Sequence, residues 1–264
     1  MEYDDRPCIT GINATICSLL GIPCHEGADI PIEEVLDLCR KNLGGDARPR
    51  VVMYNPDAIG EWIFRKYSGI TSAAAEGGST VLMKSVHPSI TPACFGSMYT
   101  GVTPDVHGIH VYRKPVLRIP TVFDDIVNAG LRAAIVSTEN DSISRLFLER
   151  KIDYFIYPHK EQCNLKAEEL IRAGIYDLIV VYNGDYDHWM HRTSPEGKKA
   201  INALKENVET YIKLRDACRG IQGPRRTAIA FAPDHGCHRF LGFFGLHGSK
   251  KACDMEICHI WSFV

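Results

Sequence analysis

DLIVVYNGDYDHWMH, residues 177–191, decides what kind of fold this chain builds. Its first half, LIVVY, is an unbroken aliphatic and aromatic run with no polar residue on alternate positions. A strand with one wet face alternates apolar with polar, whereas a strand covered on both faces is apolar throughout. The second half changes character at once, because Gly184 ends the run and Asp185, Asp187, His188 and His191 come next. One buried strand therefore delivers carboxylates and imidazoles at its carboxyl end.

Five further runs have the same look: RVVMYN (50–55), TVLMKS (80–85), RAAIVST (132–138), DYFIYP (153–158) and RTAIAFAP (226–233). Helical stretches fall between them. TVFDDIVNAG (121–130) and KAEELIRAG (166–174) both end on the glycine that helix termini favour. The longest, 194–220, offers Ser194 as N-cap and Pro195 at the first helical position. Such alternation predicts an α/β fold, a doubly wound, mostly parallel central sheet with helices on both faces. The amphipathic IEEVLDLCRKNLGG (32–45) is expected to pack on the sheet edge, and KKACDMEICHIW (250–261) to lead into a final strand. With no repeat, low-complexity tract or linker, 1–264 reads as a single α/β domain. In it the N-terminal helical segment 1–49 packs on a core of 50–264.

Composition narrows the function classes. With 45% hydrophobic and 23% charged residues, the chain can bury a sizeable core. A formal charge of -2 leaves no basic footprint for nucleic acid. No run approaches the roughly 18 apolar residues that span a bilayer. MEYDDRPCIT has neither the basic nor the apolar region of a signal peptide, so a cytoplasmic protein is expected. The ten cysteines form no CxxC pair, which argues against a zinc knuckle and for reduced, buried thiols.

In open α/β sheets, ligands bind beyond the carboxyl ends of the strands. RVVMYN is followed by Asp57, TVLMKS by Ser89 and Thr91, DLIVVYN by Asp187 and His191, and RTAIAFAP by Asp234 and His235. Each has an ordinary reading beside the functional one. Asp57 and Thr91 are both residue types that cap helices. Asp187 and His191, spaced i, i+4, form either a surface pair or a two-ligand clip. Caps alone do not account for Asp/His pairs at two strand ends. With His247, the set Asp57, Asp187, His191, Asp234, His235 and His247 supplies three carboxylates and three imidazoles. That donor set suits divalent metal, and it is too large for one tetrahedral zinc and about right for two. Two metals can clamp the attacking and leaving oxygens of a phosphoryl displacement. Thr91 stands where a hydroxyl nucleophile is wanted.

PSITPACFGSMYTGVTPDVHGI (88–109) resembles the nucleophile segment of the alkaline phosphatase superfamily, nearest its nucleotide pyrophosphatase/phosphodiesterase branch. DYDHWMH, APDHG and GLHG are similar to that family's later metal-binding elements, in the same order. The resemblance covers about residues 50–264. It implies two divalent ions, zinc or, as in the phosphomutase relatives, manganese. It implies Asp57, Thr91, Asp234 and His235 on one ion, and Asp187, His191 and His247 on the other. It implies a Thr91 nucleophile and a phospho-threonine intermediate.

Two departures limit the carry-over. The Asn that helps hold a phosphate oxygen in the phosphodiesterase branch is missing near Tyr112, where Arg113 and Lys114 come next as cationic candidates. The inserted cap domains of relatives are missing too. Against the sulfatase pattern, Thr91, Ala93 and Phe95 stand where Cys or Ser, Pro and Arg are needed. His107, His110, His188, Asp185, Cys94, His238, Asp254 and His259 stay outside the ligand set.

The expected activity is a di-metal phosphodiesterase or nucleotide pyrophosphatase acting on a small phosphate ester. The alternatives are a phosphomonoesterase or a phosphomutase/phosphotransferase on the same scaffold, and a metal-stabilised binding module. The sequence does not address oligomeric state.

Overall fold

A computed structural model describes residues 6–221 and 223–264. The reading of the chain's first five residues lies outside them. Seven strands form the main sheet: β1 (Arg50–Pro56), β2 (Ser79–Lys84), β3 (Ala133–Thr138), β4 (Asp153–Tyr157), β5 (Leu178–Asn183), β6 (Thr227–Phe231) and β9 (Glu256–Phe263). They lie in the order β2-β9-β6-β1-β5-β3-β4. β1 pairs in parallel with β5 and β6, and β3 with β5 and β4. Only β9 runs against the rest, between β6 and β2. The six strands read from sequence are all present, and the final strand is the antiparallel one.

The near-continuous apolar runs are explained by cover on both faces. Val51, Met53, Ile135 and Val180 point to one side, beneath the helices Ile12–Leu20 and Thr91–Thr100. Their neighbours Val52, Tyr54, Val136, Ile179 and Val181 point to the other, beneath Lys160–Ala173 and Lys198–Arg219. Alternate Cβ atoms leave opposite faces of a strand, so both sets must be apolar. Full burial of each such side chain is worth about 1.5–3 kcal/mol. The N-terminal helix Glu33–Leu43 packs against β9 and the edge strand β2.

Helix boundaries differ from the sequence reading in informative places. Thr121 caps Val122–Asn128 through a capping box with Asp124, and Gly130 lies just beyond at φ +74°. The helix ending at Gly174 begins at Lys160, before the apolar periodicity becomes readable. Ser194 is not the N-cap of the long helix. It ends the preceding helix, Asp185–Thr193, at φ +132°, and Gly197 precedes Lys198–Arg219. A short antiparallel ribbon, β7 (His238–Phe240) and β8 (Phe244–Leu246), separates His235 from His247. Strands of three residues are too short to show a period. Among the described residues no helix is long and apolar enough to cross a membrane.

Candidate metal centre

The carboxyl ends of β1, β5 and β6 lie side by side, and their connections supply most of the site. Asp57 follows β1 directly, its N–H donating to the Asn183 carbonyl at 3.0 Å as though the ladder continued. Asp187 and His191 lie one turn apart on Asp185–Thr193, the helix after β5. Asp234 and His235 follow β6 with one short step of chain. Thr91 is the first residue of Thr91–Thr100, and no side chain caps that helix. Asp57 caps nothing either, since the next helix starts at Glu61 behind Gly60. The capping alternatives read from sequence are therefore not realised.

Two groups of donor atoms result. One is Asp57, Asp234 and His235; the other is Asp187, His191 and His247. Within each group the donor atoms lie within 4.8 Å of one another. The His235 and His247 rings, 4.2 Å apart between centroids, form the wall between the groups. Thr91 Oγ1 stands at the first group, 3.4 Å from Asp57 Oδ1 and 3.4 Å from His235 Nε2. The first group is buried, whereas Asp187 and His191 reach solvent at the mouth.

All three imidazoles are held the same way. Nδ1 of His235 donates to the Gly236 carbonyl, that of His191 to Gly245 and that of His247 to Ser89, each at 2.9 Å. A ring whose Nδ1 is so committed presents a lone pair on Nε2, the arrangement of metal-binding histidines. In the second group three such acceptors converge. His191 Nε2 and His247 Nε2 are 3.1 Å apart, and Asp187 Oδ1 lies 3.2 and 3.3 Å from them. Acceptors that close repel unless a cation lies among them. Burial drives Asp187 toward the neutral acid, yet its pairing with His191 and His247 overrides that and holds its pKa low. The same pairing outweighs burial in the two imidazoles and raises their pKa values.

The first group also lacks positive charge. Burial, reinforced by neighbouring carboxylates, pushes Asp57 up to about 7 and Asp234 well above the usual carboxylate range. Burial drives His235 well below the ordinary imidazole value. Asp57 Oδ2 accepts from the Tyr182 hydroxyl at 2.5 Å. Asp234 Oδ1 accepts from Ala58 N–H at 3.3 Å, while its buried Oδ2 has no hydrogen-bond donor. Asp187 Oδ1 is likewise buried and without a donor. Orphaned carboxylate oxygens beside imidazole lone pairs fit a divalent ion in each group.

Close backbone contact holds the cluster. A Cβ on Gly236 would fall 2.1 Å from the Cys253 carbonyl oxygen, so only glycine passes there. Asp254, fully buried, accepts from His238 Nδ1 at 2.7 Å and from the N–H and hydroxyl of Ser249 at 3.0 and 2.6 Å. It thus joins the segment carrying His235 to the one carrying His247.

The remaining candidates divide. Tyr112 is exposed, and burial, followed by the charges of Asp57, Asp187 and Asp234, raises its pKa to about 12; it makes no hydrogen bond to the cluster. Arg113 donates to the Gly108 carbonyl and Lys114 to that of Asn140, so neither side chain joins the cluster. His107 bonds Ser97 and the Ile109 N–H and fixes its loop. His188 pairs with Arg192, Asp185 with Lys160, and Cys94 packs against Ser85. Tyr182 escaped the sequence reading; its one signal was a phenol at the end of an otherwise aliphatic strand.

Residues 54–128 match the family model for type I phosphodiesterase / nucleotide pyrophosphatase, a stretch that includes Asp57, Thr91 and Tyr112. No curated protein matches the chain. Among solved structures, it is similar to phosphonoacetate hydrolase from Sinorhizobium meliloti 1021, in complex with phosphonoformate and in complex with phosphonoacetate. Both align at 20% identity and a TM-score of 0.53, over 72% of this chain and 56% of theirs. The chain thus spans little more than half the length of those proteins, and at that identity the likeness is one of fold.

Proposed function

We propose that this chain is a metal-dependent hydrolase of small phosphate esters, of the phosphodiesterase or nucleotide pyrophosphatase type, a reading supported by the family match over residues 54–128 and by the likeness of fold. The observation that carries this reading is the hydroxyl of Thr91 set beside two groups of lone pairs that demand cations. Asp57, Asp234 and His235, with Thr91, would hold one ion, and Asp187, His191 and His247 the other. Mixed carboxylate and imidazole donors suit zinc, with manganese as the alternative. Divalent ions bound there supply positive charge that acidifies the Thr91 hydroxyl and offsets charge on the phosphoryl oxygens.

The chain's own residues do the rest. Thr91 Oγ attacks phosphorus as the bond to the ester oxygen breaks, giving phospho-threonine and a free alcohol. Water then attacks that phosphorus in turn, restoring the Thr91 hydroxyl and releasing the phosphoryl product. The positive end of the helix that Thr91 begins favours negative charge at this point. Tyr112, an exposed phenol at the sequence position of the missing Asn, is the candidate substrate contact. A cavity of about 550 Å³ beyond β3, β4 and β5 is bordered by Tyr182, the donor to Asp57, and offers room for the departing alcohol.

Metal-replete protein assayed on aryl phosphate mono- and diesters, a nucleotide pyrophosphate and phosphonoacetate tests the reading, with Thr91→Ala as control. Hydrolysis of one ester class is expected, abolished in Thr91→Ala with metal content preserved. A Thr91→Ala enzyme that still turns over would overturn the covalent route. Isomerised product without release of phosphate would replace hydrolase by mutase.

A further inference from the structure

We propose that Cys17, Cys24 and Asp125 form a second kind of metal site, a structural zinc site remote in sequence from the reaction centre. Both Sγ atoms and a carboxylate oxygen of Asp125 lie within 4.8 Å of one another. Cys17 belongs to Ile12–Leu20 and Asp125 to Val122–Asn128, two helices that pack together. Gly21, at φ +70°, ends the first helix and turns the chain back, so that Cys24 returns beside Cys17.

A fourth donor is already oriented. The side-chain nitrogen of Asn13, a fully buried residue, donates to the Tyr99 carbonyl at 2.9 Å, which fixes the amide. Its oxygen then faces the thiols, 2.9 Å from Cys24 Sγ and 3.8 Å from Cys17 Sγ. Two sulfurs, a carboxylate and an amide oxygen make a four-coordinate set, the number structural zinc takes. Thiolate donors favour zinc over magnesium, calcium or manganese.

Asp125 gives the independent reason to expect a cation. Its carboxylate is buried, and its side-chain neighbours are thiols, Cys17 donating at 3.7 Å and Cys24 close by. A thiol is a weak donor and poor compensation for a buried carboxylate. The cluster His238, Cys253 and Asp254 differs on this point, because both Asp254 oxygens already accept from nitrogen or hydroxyl donors. Zinc at Cys17, Cys24 and Asp125 displaces the two thiol protons. It ties the N-terminal segment to the helix before β3. Without a CxxC pair, nothing in the spacing announces it.

Cobalt tests the site, since neither group at the reaction centre contains a cysteine. Reduced protein loaded with Co²⁺ is expected to show a near-ultraviolet sulfur-to-cobalt charge-transfer band. Cys17→Ser and Cys24→Ser should each abolish the band and lower bound zinc by one ion, with ester turnover kept. His247→Ala should retain the band. Cobalt-loaded wild-type protein without that band overturns the proposal, as does a Cys17–Cys24 disulfide found by mass in protein purified with zinc. Cys253→Ser should retain the band, which separates this site from the His238, Cys253 and Asp254 cluster, and the spectrum is indifferent to whether Thr91 is the nucleophile.

Discussion

His191 Nε2 and His247 Nε2 lie 3.1 Å apart, though each ring has already given its Nδ1 proton to a main-chain carbonyl. Two lone pairs at that distance repel unless a proton or a metal ion lies between them. Asp187 Oδ1, beside both, adds a negative charge with no donor of its own. The arrangement is costly empty and favourable filled, so ion content and stability both report on it.

Removing one ligand should therefore remove one ion. In His247→Ala the bound metal is expected to fall by about one ion per chain, with turnover lost. The first group keeps Asp57, Asp234 and His235 intact, so the remaining ion should bind with little change. Elemental analysis after exhaustive dialysis checks this. A variant that retains both ions would show that His247 is not a ligand.

Metal should also stabilise the fold, because the repelling groups exist in the native state alone. At a hundredfold excess over its dissociation constant, an ion adds about 2.7 kcal/mol. At about 2–4 °C per kcal/mol for a chain near this size, chelation should lower Tm by about 5–10 °C per ion. Re-addition of zinc should restore it. Equal melting with and without chelator would count against cation binding in both groups.

Tyr182→Phe isolates a partner of a ligand from the ligand itself. The Tyr182 hydroxyl is the donor to Asp57 Oδ2, whereas Thr91 meets the other oxygen, Oδ1. Its loss frees Asp57 to rotate and leaves a buried oxygen without its bond, at a cost of about 1–3 kcal/mol. Outer-shell losses of this kind typically weaken metal affinity about 10–100-fold. Titration with a competing chelator measures the change. Unaltered affinity would mean the 2.5 Å contact does not orient Asp57.

The strand ends were legible because burial on both faces leaves a plain mark: LIVVY and RVVMY are apolar along their buried length, and the residues just beyond them are polar. The candidate donors were legible for a related reason, since Asp57, Asp187 and Asp234 come just beyond the ends of buried apolar strands. What escaped depends on contacts between distant segments. Nothing near Tyr182 announces that its hydroxyl meets Asp57, and 108 residues separate Cys17 from Asp125. Ser194 and Pro195 form a sound helix-start signal, but the chain uses Gly197 there, because Ser194 is taken up ending the previous helix. Arg113 and Lys114 carried the right charge for phosphate, yet nearer carbonyls hold both.

Gly236→Ala should be among the most damaging small substitutions in the chain. The added Cβ would meet the Cys253 carbonyl oxygen at 2.1 Å and the Gly60 Cα at 2.8 Å, both backbone atoms that cannot rotate aside. Overpacking of a dense site costs about 1–3 kcal/mol. The shift would fall on the residue after His235, so metal affinity in the first group should drop together with Tm. Gly45→Ala serves as the control, with open space around its Cβ and a φ that any residue adopts. A Gly236→Ala protein as stable as Gly45→Ala would refute the close contact.

His238 and Asp254 form the last pair to separate. His238 stands outside both donor groups, so His238→Ala should keep most turnover. It does leave Asp254 Oδ1 without its nitrogen donor, and stability should fall by about 1–3 kcal/mol. Asp254→Ala goes further, because it strands the His238 ring and both donors of Ser249 at once. That second loss frees the loop two residues past His247, whose Nδ1 is held only by Ser89. Asp254→Ala should therefore weaken metal binding in the second group, which His238→Ala should not. Asp254→Asn keeps one acceptor and should fall between. Chelator competition alongside denaturant unfolding distinguishes the two effects. If both single variants lose stability alike and neither loses metal, Asp254 braces the fold without positioning His247.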